Sequence, residues 1–318
     1  MTLILPVLFL ATACGQGGGN GNGNDQNGKD TTKNSQSKAD KEDKVKLHFP
    51  LPSPKAYSKQ MVGVTKAKIS YYRPSVSDPN TGEKRQIWGD LVPYDTMWRT
   101  GANANTTIKF TDDVMINGNK LEAGKYSFFT IPGKDEWTLI FNTKSDHNGT
   151  MGYSKSRDAL RVKVKPQSTN YHEMMTFHFQ NVTDSTAKVV LAWKETAVPF
   201  NVSTNTNKNV MAMINKAIDK AGDDDWKTYY RCADYLVEKG KMMDKAEEWI
   251  NKSIDINENW RNLWGKAQLM EKKGNIKEAI SLAEKSLKTG KNNDMSKGYQ
   301  EYMKGNIKEL KEKMKAKS

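Results

Sequence analysis

Two cysteines and four histidines in 318 residues leave little raw material for disulfide staples or metal cages. If Cys14 is modified, no intramolecular disulfide is possible, so the folded parts must rest on packed apolar cores. Cys232 falls in a helical pattern and reads as a buried, inert thiol. No apolar run approaches the ~20 residues of a membrane-spanning helix; the only strongly apolar stretch is residues 3–13. There is no G-x-S-x-G elbow, H-E-x-x-H, Cys-x-x-Cys or phosphate-cradling loop, which removes the motif-borne signals of nucleophilic, zinc and nucleotide chemistry. No cofactor or metal is expected. The net charge of +13 suits an anionic partner or plain solubility through dispersed lysines. Without an Arg/Lys-rich arm or an aromatic RNA-binding signature, nucleic acid is not among the expected partners.

What is present falls into four segments. Residues 1–14 (MTLILPVLFLATAC) place an apolar run and small residues before a cysteine. The arrangement resembles a bacterial lipobox, with Leu10-Ala11-Thr12-Ala13 preceding Cys14, and implies lipid on the Cys14 thiol and a membrane as partner. The segment lacks the basic n-region of a secretory signal; a start upstream of Met1 would supply one. Residues 15–46, rich in glycine and asparagine and then in charge, cannot bury enough apolar surface to order themselves. As a flexible coil they would reach on the order of 30 Å. The expected address is the cell envelope, anchored on the periplasmic or surface side of a membrane.

From 47 to 203 the hydrophobic period is two. Ile108 and Phe110, Val114 and Ile116, Trp137, Leu139 and Phe141, Leu160, Val162 and Val164, Met175, Phe177 and Phe179, and Val189, Leu191 and Trp193 each alternate, as half-buried strands do. Asn117-Gly118 is a hairpin signal, and Pro132-Gly133 separates two further runs. Eight or nine strands in a mainly-β antiparallel sandwich are expected. Three runs, YYRPS, QIWGDLVPYDTMWRTGANANTTIKF and LEAGKYSFFTIPGKDEWTLIFN, resemble a domain-of-unknown-function family common in exported proteins of Bacteroidota, over about residues 55–200. That family brings no activity with it. Its pattern usually has glycine where Asp95 stands, an acid where Ala104 stands and Phe where Trp88 stands.

Residues 94–105 gather Tyr94, Asp95, Trp98, Arg99, Asn103 and Asn105. A guanidinium fork, amides and an indole face could hold a carboxylate or a sugar, so Tyr94, Trp98, Arg99 and Asn103 are the candidate ligand residues. The competing reading has Trp98 filling the core, Arg99 paired internally and Gly101 serving a bend. His178 alternates with Phe177 and Phe179 and so points to the polar face, and His147 lies beside Asp146 in a loop.

From 207 to 318 the period is 3.6, and a repeat is visible. Trp226 and Trp260 are 34 residues apart, as are Gly240 and Gly274; Ala246 and Ala279, and Ser253 and Ser286, are 33 apart. This resembles tetratricopeptide repeats, an all-α helical-repeat domain flanked by capping helices near 210–221 and 299–316. Such repeats offer a surface to a protein partner, or support the β-domain. The chain therefore reads first as a non-catalytic binding or interaction lipoprotein. The alternatives are a carbohydrate or small-ligand binder on the 94–105 segment, or a hydrolase using Asp95, Arg99 and His147.

Overall fold

The computed structural model describes residues 49–146 and 149–316. Cys14, the 15–46 segment and His147 lie outside them. Among the described residues ten antiparallel strands come first: β1 (Lys55–Val62), β2 (Thr65–Tyr72), β3 (Thr107–Phe110), β4 (Val114–Ile116), β5 (Asn119–Leu121), β6 (Gly124–Ile131), β7 (Trp137–Asn142), β8 (Asp158–Val164), β9 (Gln167–Gln180) and β10 (Thr186–Thr204). Six α-helices follow among the described residues: α1 (Thr206–Ile218), α2 (Trp226–Lys239), α3 (Met243–Ile256), α4 (Trp260–Lys272), α5 (Ile276–Lys291) and α6 (Lys297–Lys315). The strands form a six-stranded sheet ordered β1-β2-β3-β6-β7-β8 and a four-stranded sheet ordered β5-β4-β10-β9. A mainly-β domain followed by an all-α one is thus the architecture.

The strand count exceeds the expected eight or nine for a physical reason. β1 carries mostly polar and charged side chains (KAYSKQMV) and is exposed on nearly every residue or half-buried, so no apolar alternation marks it. β5 is a three-residue arm that exists because Asn117 and Gly118 both sit at positive φ, 46° and 83°. That geometry matches the right-handed strand twist. β10 runs on past Trp193 because Lys194, at φ 55°, takes up a register shift against β9 without ending the strand.

One face of each sheet builds a shared core that includes Ile69, Ile108, Phe110, Phe128, Leu139, Phe141, Phe177, Leu191, Trp193 and Phe200. Phe129 and Ile140 are fully buried too, yet they alternate onto the opposite face of the larger sheet, where residues on neighbouring strands line up in register. Something other than the partner sheet must therefore cover them, and the Tyr153 ring of the 149–157 loop meets Phe129 there.

The helices have conventional starts. Asp225 accepts from the Thr228 amide at 3.1 Å, Asn259 with Asn262 forms a reciprocal capping pair, and α2 ends on Gly240 at φ 64°. The two helix pairs α2–α3 and α4–α5 reuse one contact: Ser253 donates to the Trp226 carbonyl at 2.9 Å and Ser286 to the Trp260 carbonyl at 2.6 Å. A buried threonine pair, Thr65 and Thr204, joined by the Asn209 amide at 3.2 and 3.0 Å, ties α1 to the strands.

Candidate functional site

The segment 86–106 does not bring its four candidate residues to one place. Trp98 pairs with Thr130 through both backbone bonds, 2.8 and 3.0 Å, and its side chain packs against the core. There it stacks on Trp193 at 5.9 Å and meets Trp88 edge-on at 5.9 Å; Trp88 also meets Trp137 and Trp193 at 5.0 and 5.6 Å. The Trp98 indole N–H donates to the Gly101 carbonyl at 3.1 Å. Tyr94 lies over Gly89, where a Cβ would come within 2.9 Å of its ring. It lines a cleft of about 240 Å³ with Trp88, Lys134, Trp137, Ser168 and Glu195; Trp98, Arg99 and Asn103 do not line it. Asn103, exposed and at φ 51°, donates to the Ser53 carbonyl at 3.2 Å. Asp95 is exposed at a turn, with φ 57°.

Arg99 goes the other way. After Trp98 the chain leaves the edge of β6 and returns at Thr106, whose carbonyl accepts from Phe128 at 2.8 Å. Residues 99–105 are thus a bulging loop whose two ends both stand level with Phe129. Because Trp98 faces the core, strand alternation turns Arg99 to the outer face. A Cβ built on Gly149 would lie 3.9 Å from the Arg99 Nη1, which fixes the reach of the guanidinium toward the covering loop.

Next to it runs a polar row set by register alone. Ser70 faces Thr107, Thr107 faces Ser127, Ser127 faces Asn142 and Asn142 faces Asp158 across five strands. At the β8 end the groups are tightly joined. The Asn142 amide donates to Asp158 Oδ1 at 2.8 Å and to the Ser154 carbonyl at 3.0 Å. Arg161 donates to Asp158 Oδ2 at 2.7 Å and to the Tyr153 hydroxyl at 2.6 Å, while that hydroxyl donates to Asp158 at 2.6 Å. Burial, then the bond to Asp158, pushes the Tyr153 hydroxyl above its ordinary pKa. For Arg161 burial opposes the charge, but the bonds to Asp158 and Tyr153 outweigh it and raise the pKa. The Tyr153 ring meets Phe129 edge-on at 5.4 Å, which closes the outer face. Ser127, Asn142, Tyr153, Asp158 and Arg161 escape a motif search. The one sequence signal is the polar Ser127 and Asn142 inside otherwise apolar strands.

In the helical part a second arrangement emerges. Trp226 touches Tyr230 at 6.4 Å; Trp260, Tyr299, Tyr302 and Trp264 form a chain of ring contacts of 5.2, 5.6 and 6.1 Å across α4 and α6. Tyr230 of α2 packs against Gly265 of α4, where a Cβ would stand 3.2 Å from its ring. Burial, then the charge of Asp234, raises the Tyr230 hydroxyl pKa, and burial pushes Tyr299 up to about 12. Burial likewise raises the Asp234 carboxyl. Arg261 covers the Trp260 ring at 4.2 Å and pairs with Asp294 at 2.8 Å. His172 and His178 stack at 6.5 Å; burial, then the neighbouring ring, lowers the His178 pKa. Among the described residues no group of three metal-capable side chains converges, and no helix is long and apolar enough to cross a membrane.

Comparison with known families bears on the β-domain alone. Residues 53–202 match the family model "protein of unknown function (DUF2911)". No curated protein matches the chain, and no solved structure does. The matched residues run from before β1 to most of β10 and include the Trp98 cluster, the Tyr94 cleft and the outer-face polar row.

Proposed function

We propose that this protein is a non-catalytic binding lipoprotein of the bacterial cell envelope. Lipid on Cys14 holds it to a membrane, residues 15–46 act as the tether, and a DUF2911 domain carries a tetratricopeptide-like helical domain whose α2–α4–α6 face receives a protein partner. The observation that carries the reading is the aromatic belt on that face. Tyr302 is 52% exposed, Trp226, Tyr230, Trp260 and Tyr299 are half-buried, and Asp234 makes no hydrogen bond or ion pair among the described residues. Tyrosine and tryptophan dominate interface hot spots because they offer large rigid surfaces with a polar handle. The recurring Ser253 and Ser286 contacts support the repeat assignment.

The test has two arms. Radiolabelled palmitate should enter the wild type and not Cys14→Ser, which should leave the membrane fraction. Tyr302→Ala, which removes an exposed ring, should retain the label and the membrane but lose the proteins that co-purify from detergent-solubilised envelopes. Unchanged co-purification with Tyr302→Ala would refute the assignment of the binding face.

A further inference from the structure

Buried polar groups are almost always hydrogen-bonded, so several orphans at one spot demand an explanation. On the outer face of the six-stranded sheet four such atoms occur together: Arg99 Nε, both amide atoms of Asn105, and Ser127 Oγ are each sealed from solvent without a partner. Asn105 is 6% exposed and Ser127 is fully buried. Their placement follows from the backbone. Arg99 and Asn105 are the two ends of the 99–105 bulge beside Phe129, and Ser127 is two residues along the same strand and therefore on the same face. Arg99 makes no side-chain hydrogen bond or ion pair among the described residues. Asp158, the nearby acid, is committed to Arg161, Tyr153 and Asn142.

The backbone here is also strained. Thr100 is β-branched and sits at φ 55°, a conformation such residues rarely adopt. It is held there by buried bonds: its hydroxyl meets that of Thr130 at 3.1 Å, and its carbonyl accepts from Thr106. Strain kept in place by surrounding contacts concentrates at ligand sites. The bulge is what sets Arg99 and Asn105 side by side; a regular strand would separate them by about 20 Å at ~3.3 Å per residue.

We propose that Arg99, Asn105 and Ser127 form a binding site for a small hydroxycarboxylate. The guanidinium fork matches a planar carboxylate, and the Ser127 hydroxyl and Asn105 Nδ2 supply further donors. Asn105 Oδ1 is an acceptor and requires a donor on the ligand, which a hydroxyl next to the carboxylate provides. An uncharged sugar leaves the guanidinium unmatched. The proposal concerns the DUF2911 domain and does not depend on what the helical face binds.

The experiment uses the full chain with its lipid-bearing cysteine replaced, Cys14→Ser, and measures thermal unfolding and isothermal titration with glycolate, lactate and glucuronate. Ethylene glycol, glucose and inorganic phosphate are the controls. At least one hydroxycarboxylate should bind saturably and raise the midpoint, while the neutral controls do nothing. Arg99→Lys keeps the charge and loses the fork; Ser127→Ala removes a buried orphan hydroxyl and should leave the free protein at least as stable. Each should weaken binding about tenfold or more, the usual loss for a charge-assisted hydrogen bond. The proposal is overturned if no hydroxycarboxylate binds the folded wild type. It is equally overturned if glucose or phosphate alone binds, if both variants bind like the wild type, or if crystals soaked in the probes show only ordered water between Asn105 and Ser127.

Discussion

Replacing Trp98 distinguishes a core tryptophan from a ligand-facing one. Its ring is half-buried, stacked on Trp193 at 5.9 Å and set edge-on to Trp88 at 5.9 Å. Truncating a fully buried tryptophan costs roughly 3–5 kcal/mol. Half-burial lowers the transfer part to roughly 2 kcal/mol. The two ring contacts add roughly 0.5–1 kcal/mol each. The buried Gly101 carbonyl, deprived of the indole N–H that reaches it at 3.1 Å, adds about 1 kcal/mol. Trp98→Ala should therefore destabilise the β-domain by about 4 kcal/mol, and Trp98→Phe, which keeps an aromatic ring and drops the donor, by about 1–2 kcal/mol. At about 2–4 °C per kcal/mol for a domain of this size, the alanine variant should melt roughly 8–16 °C below wild type. Circular dichroism at a strand-dominated wavelength, with urea titration as a second axis, reads both values. An alanine variant that melts within about 2 °C of wild type would refute the core assignment and return Trp98 to the surface.

Further outcomes follow from individual contacts. Gly118→Ala meets nothing within 4 Å of the new Cβ, so its cost is purely conformational, about 1 kcal/mol for a left-handed residue at φ 83°, read by urea denaturation. Ser253→Ala should cost more than Ser286→Ala, by roughly 1 kcal/mol, because the Ser253 hydroxyl also accepts from the Asn262 amide at 3.1 Å; helical unfolding of the two variants compares them. Hydrogen bonds from Arg261, then Trp260, lower the Asp294 pKa from 3.8 to about 2. A lowered carboxylate contributes stability that is complete above about pH 4 and lost as the pH falls toward 2. Asp294→Asn should flatten that part of the acid limb, and identical acid limbs would count against the contact. Burial, the larger cause, raises the Cys232 thiol, so maleimide labelling at neutral pH should be slow in native protein and fast in urea.

Much of the architecture is visible in single residues. The Asn117-Gly118 pair announces its hairpin because only a few residues accept two successive positive φ angles. Trp226 and Trp260, with Ser253 and Ser286, announce the helix pairs because equivalent positions must make equivalent contacts. β1 does not show itself, since a strand whose partners are on one edge needs no apolar alternation. The site is harder to read. Arg99 and Asn105 are conspicuous by type, but their convergence depends on a bulge centred on Thr100, and nothing in a threonine advertises a left-handed backbone. Asp158 looks like an ordinary polar strand end, and Ser127 and Asn142 show only as polar residues inside otherwise apolar strands. Only the register, which lines them up, and the packing of Tyr153 on Phe129, which covers them, make that face an interior.

A binding role requires that the α2–α4–α6 face be occupied in cells. A photo-crosslinking amino acid placed at Tyr302, on α6, with a second placed at the exposed Lys252 of α3 as the reference, measures this directly. Irradiated cells should give a discrete higher-mass adduct from position 302 and none from position 252. Adducts of equal yield from both positions, or none from 302 in cells where the protein is membrane-bound, would contradict the account.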